Sequence, residues 1–328
     1  MIDDEFVESL KPFVDFLTVC PEVEIGLGVP REPIRIVSLK KDLHLIQPAT
    51  KRDVTREMRE FSNTFLARLK EIDGFILKSR SPSCGIRDVK IYPDAEKNSA
   101  LGRGVGFFGG AVFEHYPSNP VEDEGRLENW RIRERFLTTI FALARLRAAS
   151  RGLEIGNLVQ FHTQHKLLLV ANSRNEMRIL GKIVANHVKR SAVDLFTLYR
   201  NHLLQALSKP SRFTSNINVL MHAIGYFKDK LNPKEKRHFL NSLGKYRDSK
   251  LPLSALLAIV NSWIARFHEC VSLRPKAPWG DTGVSERNER NLSLRDTDME
   301  SQIYFKPYPE GLFETTDSLK GRDSRSNS

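Results

Sequence analysis

Cysteine is scarce in this chain, with three among 328 residues, and long apolar runs are missing altogether. Three thiols at wide, odd spacing do not make a disulfide framework, so a reducing cytoplasm is the expected compartment. No apolar run is long enough to span a bilayer, so no membrane partner is expected. The opening residues Met1-Ile-Asp-Asp-Glu5 are acidic, with neither a basic nor an apolar leader segment, and no secretory signal is expected. Internal repeats are lacking too. These scarcities argue against a stapled secreted domain, a membrane protein and a repeat array.

What is present is unevenly spread. Residues 1–130 carry 18 Lys+Arg against 22 Asp+Glu, and residues 131–328 carry 33 against 18, for a net of +11 overall. A basic second half suggests an anionic partner such as nucleic acid, although a solvated basic helical surface gives the same count.

The first part alternates strand-like and helix-like patterns. Val14–Val19 and Ile34–Leu39 read as short buried strands, and Phe75–Leu77 and Val89–Tyr92 as two more. Asp53–Ile72 has apolar residues at helical spacing, with Asp53 as its expected N-cap. Gly102-Arg-Gly-Val-Gly106 leads into an expected helix over Phe107–His115. The alternation predicts an α/β domain with an incomplete open, mostly parallel sheet. Beyond an acidic, turn-rich stretch at 117–130, seven segments recur near 3.6 residues: Arg131–Ala149, Leu158–Ala171, Glu176–Val188, Val193–Leu207, Thr214–Lys230, Pro233–Ser249 and Leu253–Glu269. That pattern predicts an all-α domain. The expected division is an α/β domain over 1–125 and a helical domain over 126–272. A disordered insert over 273–300, a segment over 301–313 that docks on the helices, and a disordered tail over 314–328 complete it.

Two cysteines stand in loop-like settings. Cys20 lies in Val19-Cys-Pro-Glu-Val-Glu-Ile-Gly-Leu-Gly-Val-Pro-Arg31, and Cys84 in Lys78-Ser-Arg-Ser-Pro-Ser-Cys-Gly85. Each follows an apolar run and precedes Pro or Gly, which places it at an expected strand end where loops of an α/β sheet converge on ligands. Thiolates meeting there suit iron, and two unremarkable buried cysteines are the other reading. Gly102-x-Gly-x-Gly106 lacks the Lys-Ser/Thr of a phosphate loop, leaving a cradle or a simple turn. In the helical part His162, His165 and Lys166 share a face at i, i+3, i+4, and His222 lies on another apolar helix. They form either a possible anion site or a set of structural polar contacts. No acidic or thiol partner sits at a spacing that favours zinc. Lys228, Lys230, Lys234, Lys236, Arg237, Lys245, Arg247 and Lys250 crowd one region that could meet phosphates.

The two cysteine motifs, with Gly-Arg-Gly-Val-Gly-Phe-Phe and Pro120-Val-Glu-Asp-Glu-Gly-Arg-Leu127, resemble the thiouracil desulfurase-type family. The second part resembles the YbgA-type helical domain of unknown function, through Phe161-His-Thr-Gln-His-Lys166, Asn218-Val-Leu-Met-His-Ala-Ile-Gly-Tyr-Phe227 and Tyr304-Phe-Lys-Pro-Tyr-Pro309. The first resemblance implies a [4Fe–4S] cluster on three cysteines, with the fourth iron free to take sulfur from a thiolated nucleobase or similar small molecule. It makes Cys20 and Cys84 two iron ligands and Glu22 with Ser81 or Ser83 the catalytic candidates, Glu24 being the other carboxylate in reach. A carboxylate there would activate water, and a hydroxyl would orient the base or relay a proton. The family pattern opens on a strand ending in a Ser-Cys-Leu-Leu-Gly-like segment that carries the first ligand. This chain starts after that point, and Cys270 is a poor substitute. Either the sequence is a truncated reading of a longer gene, or the protein has lost a full cluster site, and as it stands the chain is expected to be inactive in desulfuration.

Overall fold

The computed structural model describes residues 2–40, 42–96, 99–267, 299 and 301–312. The insert and tail expected at 273–300 and 314–328 lie almost wholly outside the described residues, and Cys270 lies outside them too. The chain divides into two units, residues 1–140 with 309–328, and residues 141–308.

The first unit opens with α1 (Glu5–Leu10) and α2 (Pro21–Glu24), followed by β1 (Arg35–Leu39), β2 (Asp42–Gln47), β3 (Arg52–Asp53) and α3 (Thr55–Arg68). Then come β4 (Phe75–Leu77), β5 (Val89–Tyr92), β6 (Gly102–Gly104), α4 (Phe107–His115), β7 (Val121–Asp123), α5 (Glu124–Leu127) and the start of α6 (Trp130–Ser150). Strands β3-β2-β1-β5-β6 form one sheet, and β4 and β7 pair in a second. The α/β character stands, with strands paired in both senses. β1 with β5 and β4 with β7 run parallel, whereas β1–β2, β2–β3 and β5–β6 are antiparallel. The antiparallel pairs come from short connections such as the one between Leu39 and Asp42, which leave no room for a crossover helix.

β1 is flanked on both edges, and its consecutive Ile36 and Val37 are both fully buried. α3 turns Met58, Ser62 and Leu66 inward, and its Phe61 and Phe65 rings pack with Phe108 of α4. The Asp53 carboxylate accepts from the Thr55 N–H at 2.9 Å at the start of α3, while Val54 occupies the cap position itself.

The strand expected over Val14–Val19 does not form. That stretch is unpaired, with Phe16 40% and Leu17 62% exposed. An apolar run becomes a strand only where a neighbour takes its backbone groups, and none of the described residues does so here. Just before it, Asp4 accepts from the Val7 N–H at 3.0 Å and caps α1, which buries Phe6 and Leu10. Arg133, on the first part of α6, is almost fully buried with its guanidinium 4.2 Å from the Phe6 ring centroid.

The second unit holds the rest of α6 and α7 (Ile155–Asn172), α8 (Arg174–Ala185), α9 (Ala192–Leu207), α10 (Phe213–Tyr226), α11 (Pro233–Arg247) and α12 (Leu253–Arg266), with a 3-10 turn at Ile303–Phe305. The helical spacing read from the sequence maps onto these helices within a few residues at each end. Their core includes Leu167–Ala171, Leu180, Tyr199, Leu203, Leu220, Phe239 and Leu256, all buried. Caps match local chemistry: Asn232 and Glu235 make a reciprocal capping box with Pro233 in the first turn of α11. The buried Gln302 side chain bonds into the α7 ladder, donating to the Thr163 carbonyl at 2.8 Å and accepting from the Leu167 N–H at 3.2 Å. No helix among the described residues is long and apolar enough to cross a membrane.

Candidate functional site

Cys20 is the residue before α2, not the end of a strand, and Pro21 starts the helix. Two residues on, Glu22 is fixed at both oxygens. Arg31 Nε donates to Oε2 at 2.6 Å, and Ser83 Oγ donates to Oε1 at 2.6 Å. The same Arg31 reaches Cys20 Sγ with Nη2 at 3.4 Å and the Gly28 carbonyl with Nη1 at 3.0 Å. This folding back needs tight backbone after α2. Gly26 and Gly28 supply it at φ of 82° and 70°, in the left-handed region that favours glycine.

Cys84 is held from the other side. The Ser81 hydroxyl accepts from the Cys84 N–H at 3.1 Å and lies 2.9 Å from Ser83 Oγ. Because the Ser83 proton goes to the Glu22 carboxylate, the Ser81 proton points to Ser83, which makes a directed chain Ser81–Ser83–Glu22. Ser83 is fully buried, and its Oγ lies 3.7 Å from Cys84 Sγ. The turn packs backbone against backbone on the start of α4. The Ser83 carbonyl accepts from Phe108 N at 2.8 Å, and Gly106 N donates to the Gly85 carbonyl at 2.7 Å. A Cβ at Gly106 would lie 2.5 Å from the Ser83 carbonyl oxygen, so only glycine fits there.

Burial, reinforced by the charges of Glu22 and Cys20, pushes the Cys84 thiol up to about 11, against the bonds from Ser83 and the Lys78 backbone N–H. The influence of Cys20 on Cys84 puts the two thiols in one electrostatic neighbourhood. Further back, buried Glu124 accepts from Ser79 N at 2.8 Å and Ser79 Oγ at 2.9 Å, and its carboxylate pairs with Lys78 Nζ at 2.8 Å. Burial works against its charge, yet these donors hold the carboxyl below the usual range. Glu124 thus braces the segment whose Lys78 N–H meets Cys84.

Cys20, Glu22, Ser81, Ser83 and Cys84 are therefore gathered, whereas Glu24 points to solvent. Arg31, Lys78, Ser79 and Glu124 were not singled out from the sequence. Arg31 closes the Cys20 motif and Glu124 sits in Val-Glu-Asp-Glu, but neither spacing shows its partner. Of the Gly102-x-Gly-x-Gly106 run, Gly102–Gly104 is a strand and Gly106 is the close contact on the Cys84 turn.

The two sulfurs are soft donors of the kind that suit iron, although burial disfavours the thiolate at Cys84. Among the described residues the donor set stops at these two thiols, and no group of three or more His, Cys, Asp or Glu is placed to hold a metal.

In the helical unit His162, His165 and Lys166 are buried in the core, and His222 is exposed on α10. His162 Nδ1 lies 3.0 Å from the Tyr199 hydroxyl. His165 donates from Nδ1 to the Phe161 carbonyl at 2.8 Å and stacks on the Phe161 ring, while its buried Nε2 has no hydrogen-bond partner among the described residues. Burial first, then nearby cations, lowers His162 to about 4 and His165 to about 3. Both imidazoles are neutral at pH 7.

The first unit, with its two thiols and acid–hydroxyl chain on α/β loops, is of the desulfurase type: residues 1–124 match the family described as 2-thiouracil desulfurase. Residues 166–273 match a family described as protein of unknown function (DUF1722). The uncharacterized protein YbgA of Escherichia coli (strain K12) is 34% identical over 133 residues, which are 40% of this chain and 79% of that protein. The chain belongs to the YbgA family. No solved structure matches it significantly.

Proposed function

We propose that the first unit is built for hydrolytic desulfuration of a thiolated pyrimidine or a related thiocarbonyl compound, in the cytoplasm, and that turnover requires a third cluster ligand beyond Cys20 and Cys84. The reaction converts C=S and water into C=O and hydrogen sulfide, with no net redox change. Cys20 and Cys84 would be two of the ligands of a [4Fe–4S] cluster, which would supply Lewis acidity toward the thiocarbonyl sulfur.

The chain's own residues account for the proton. Glu22 takes it from the attacking water, and Arg31, bonded to its Oε2, keeps the carboxylate aimed. Ser83, bonded to Glu22 and next to Cys84, hands a proton toward departing sulfide and takes back the one that Glu22 gained from water, while Ser81 holds the Ser83 hydroxyl in place. The observation that carries this reading is the 2.6 Å bond from Ser83 to Glu22, which joins the two cysteine loops across 61 positions of sequence.

Anaerobic reconstitution of the full chain with iron and sulfide tests it. The expected result is visible absorption of a bound cluster and release of uracil from 2-thiouracil. A reconstituted chain with neither absorption nor product would overturn the proposal.

A further inference from the structure

α8 and the turn after it carry a basic surface of their own. Arg174, Arg178 and Lys182 recur at i, i+4, i+8 along α8, and all three are exposed. Their spacing sets successive cations about 6 Å apart along the helix axis. The opposite face, Leu180, Ile183 and Val184, is in the core.

The turn extends the row. Asn186 ends α8 in the left-handed conformation, its Oδ1 accepting from Arg190 N at 2.8 Å and its Nδ2 donating to the Arg190 carbonyl at 3.2 Å. Those bonds hold Lys189 and Arg190, both exposed, in an ordered loop. The stretch 174–190 contains one carboxylate, Glu176, and it is taken by His202 at 2.8 Å. Among the described residues no carboxylate forms an ion pair with Arg174, Arg178, Lys182, Lys189 or Arg190. Nearby, burial and then the charge of Arg174 lower His222 on α10, which places that helix edge beside the row. The acids of α11 and its cap are engaged as well, Glu235 with Arg266 of α12 and Asp248 with Arg247.

Like charges at i, i+4 destabilise a helix by a few tenths of a kcal/mol per pair, so a row without acids costs stability until an anion meets it. We propose that this α8 row is a docking surface for the phosphate backbone of nucleic acid. A bilayer fits less well, because a helix lying in a membrane surface must offer it an apolar face, and the apolar face of α8 is buried. A polynucleotide presents closely and regularly spaced negative charge, as the row requires. The inference rests on the helical unit alone, whatever reaction the first unit performs.

The test is fluorescence anisotropy of a labelled single-stranded RNA titrated with the full chain at several salt concentrations. Binding is expected to weaken linearly with log salt, by about 0.7 in slope per phosphate contact. The triple variant Arg174→Glu, Arg178→Glu, Lys182→Glu is expected to bind at least tenfold more weakly, with the slope reduced by about 2. The control Lys234→Glu, Arg237→Glu, Lys245→Glu on α11 is expected to change affinity less than threefold. Should circular dichroism show that the α8 triple variant unfolds, Arg178→Gln with Lys182→Gln replaces it, with an expected slope loss of about 1.4. RNA binding that is missing, or unchanged in the α8 variant, overturns the proposal. So does preferential binding of the native chain to anionic phospholipid vesicles or to polyglutamate.

Discussion

The two units handle polar side chains in opposite ways. In the first, Ser81, Ser83, Glu22 and Arg31 form a chain of donors and acceptors that ends at two sulfurs, held by loops. In the second, His162, His165 and Gln302 sit inside packed helices, and their bonds serve the packing. At the loop site Glu22 pairs with Arg31, whereas in the helical core the two imidazoles are kept neutral by burial and neighbouring cations. A polar group placed at a loop junction is available for chemistry, whereas one threaded into a helix ladder mainly fixes register.

The sharpest way to break this contrast is to remove the carboxylate. Glu22→Gln is expected to slow 2-thiouracil turnover by 10²–10⁴-fold, roughly the range for a lost general base, with urea unfolding little changed. An equal loss in both would make Glu22 structural, like the histidines. Core packing supplies the opposite case. Leu203 is fully buried, and Leu203→Ala is expected to cost about 2–5 kcal/mol in urea unfolding.

The histidines offer a pH test. His162 titrates near 4 when folded against 6.5 ordinarily. The unfolded chain therefore binds the proton first, and stability is full above about 6.5 and falls as pH drops toward 4, by on the order of 3 kcal/mol. His162→Gln is expected to lose correspondingly less between neutral pH and pH near 4.5. An identical loss would mean that His162 is charged and solvated, and the core reading of this cluster would fail. The smallest effect is expected at Leu17→Ala, within about 0.5 kcal/mol, because this side chain is mostly exposed. A cost like that of Leu203 would restore a buried strand over Val14–Val19.

How legible each part was follows from the range of its interactions. Helices α7 to α12 repeat every 3.6 residues whatever they pack against, so their positions were readable within a few residues. The run at Val14–Val19 misled because pairing depends on a neighbour that a local pattern does not name. The hairpin of β1 and β2 was read only in its first strand, although Leu43 and Leu45 alternate with polar residues. At the site, Cys20 and Cys84 stood out by their loop context, but their company was set by the fold. Glu22 and Ser83 were named through family resemblance. Arg31 and Glu124 were passed over, because nothing local marks a side chain whose partner is reached through a glycine turn or lies 45 positions away.

Gly106 gives the Cys84 corner an unusual kind of rigidity. The thiol there is located by main chain lying on main chain, with no side chain between to adjust. Many side chains of this loop can adjust by rotamer, but thickening the chain at Gly106, or at Gly109 where a Cβ would lie 2.8 Å from the Cys84 carbonyl oxygen, would push the sulfur bodily off its mark. The tolerance of the site to change is therefore narrowest at positions that have no reactive group at all.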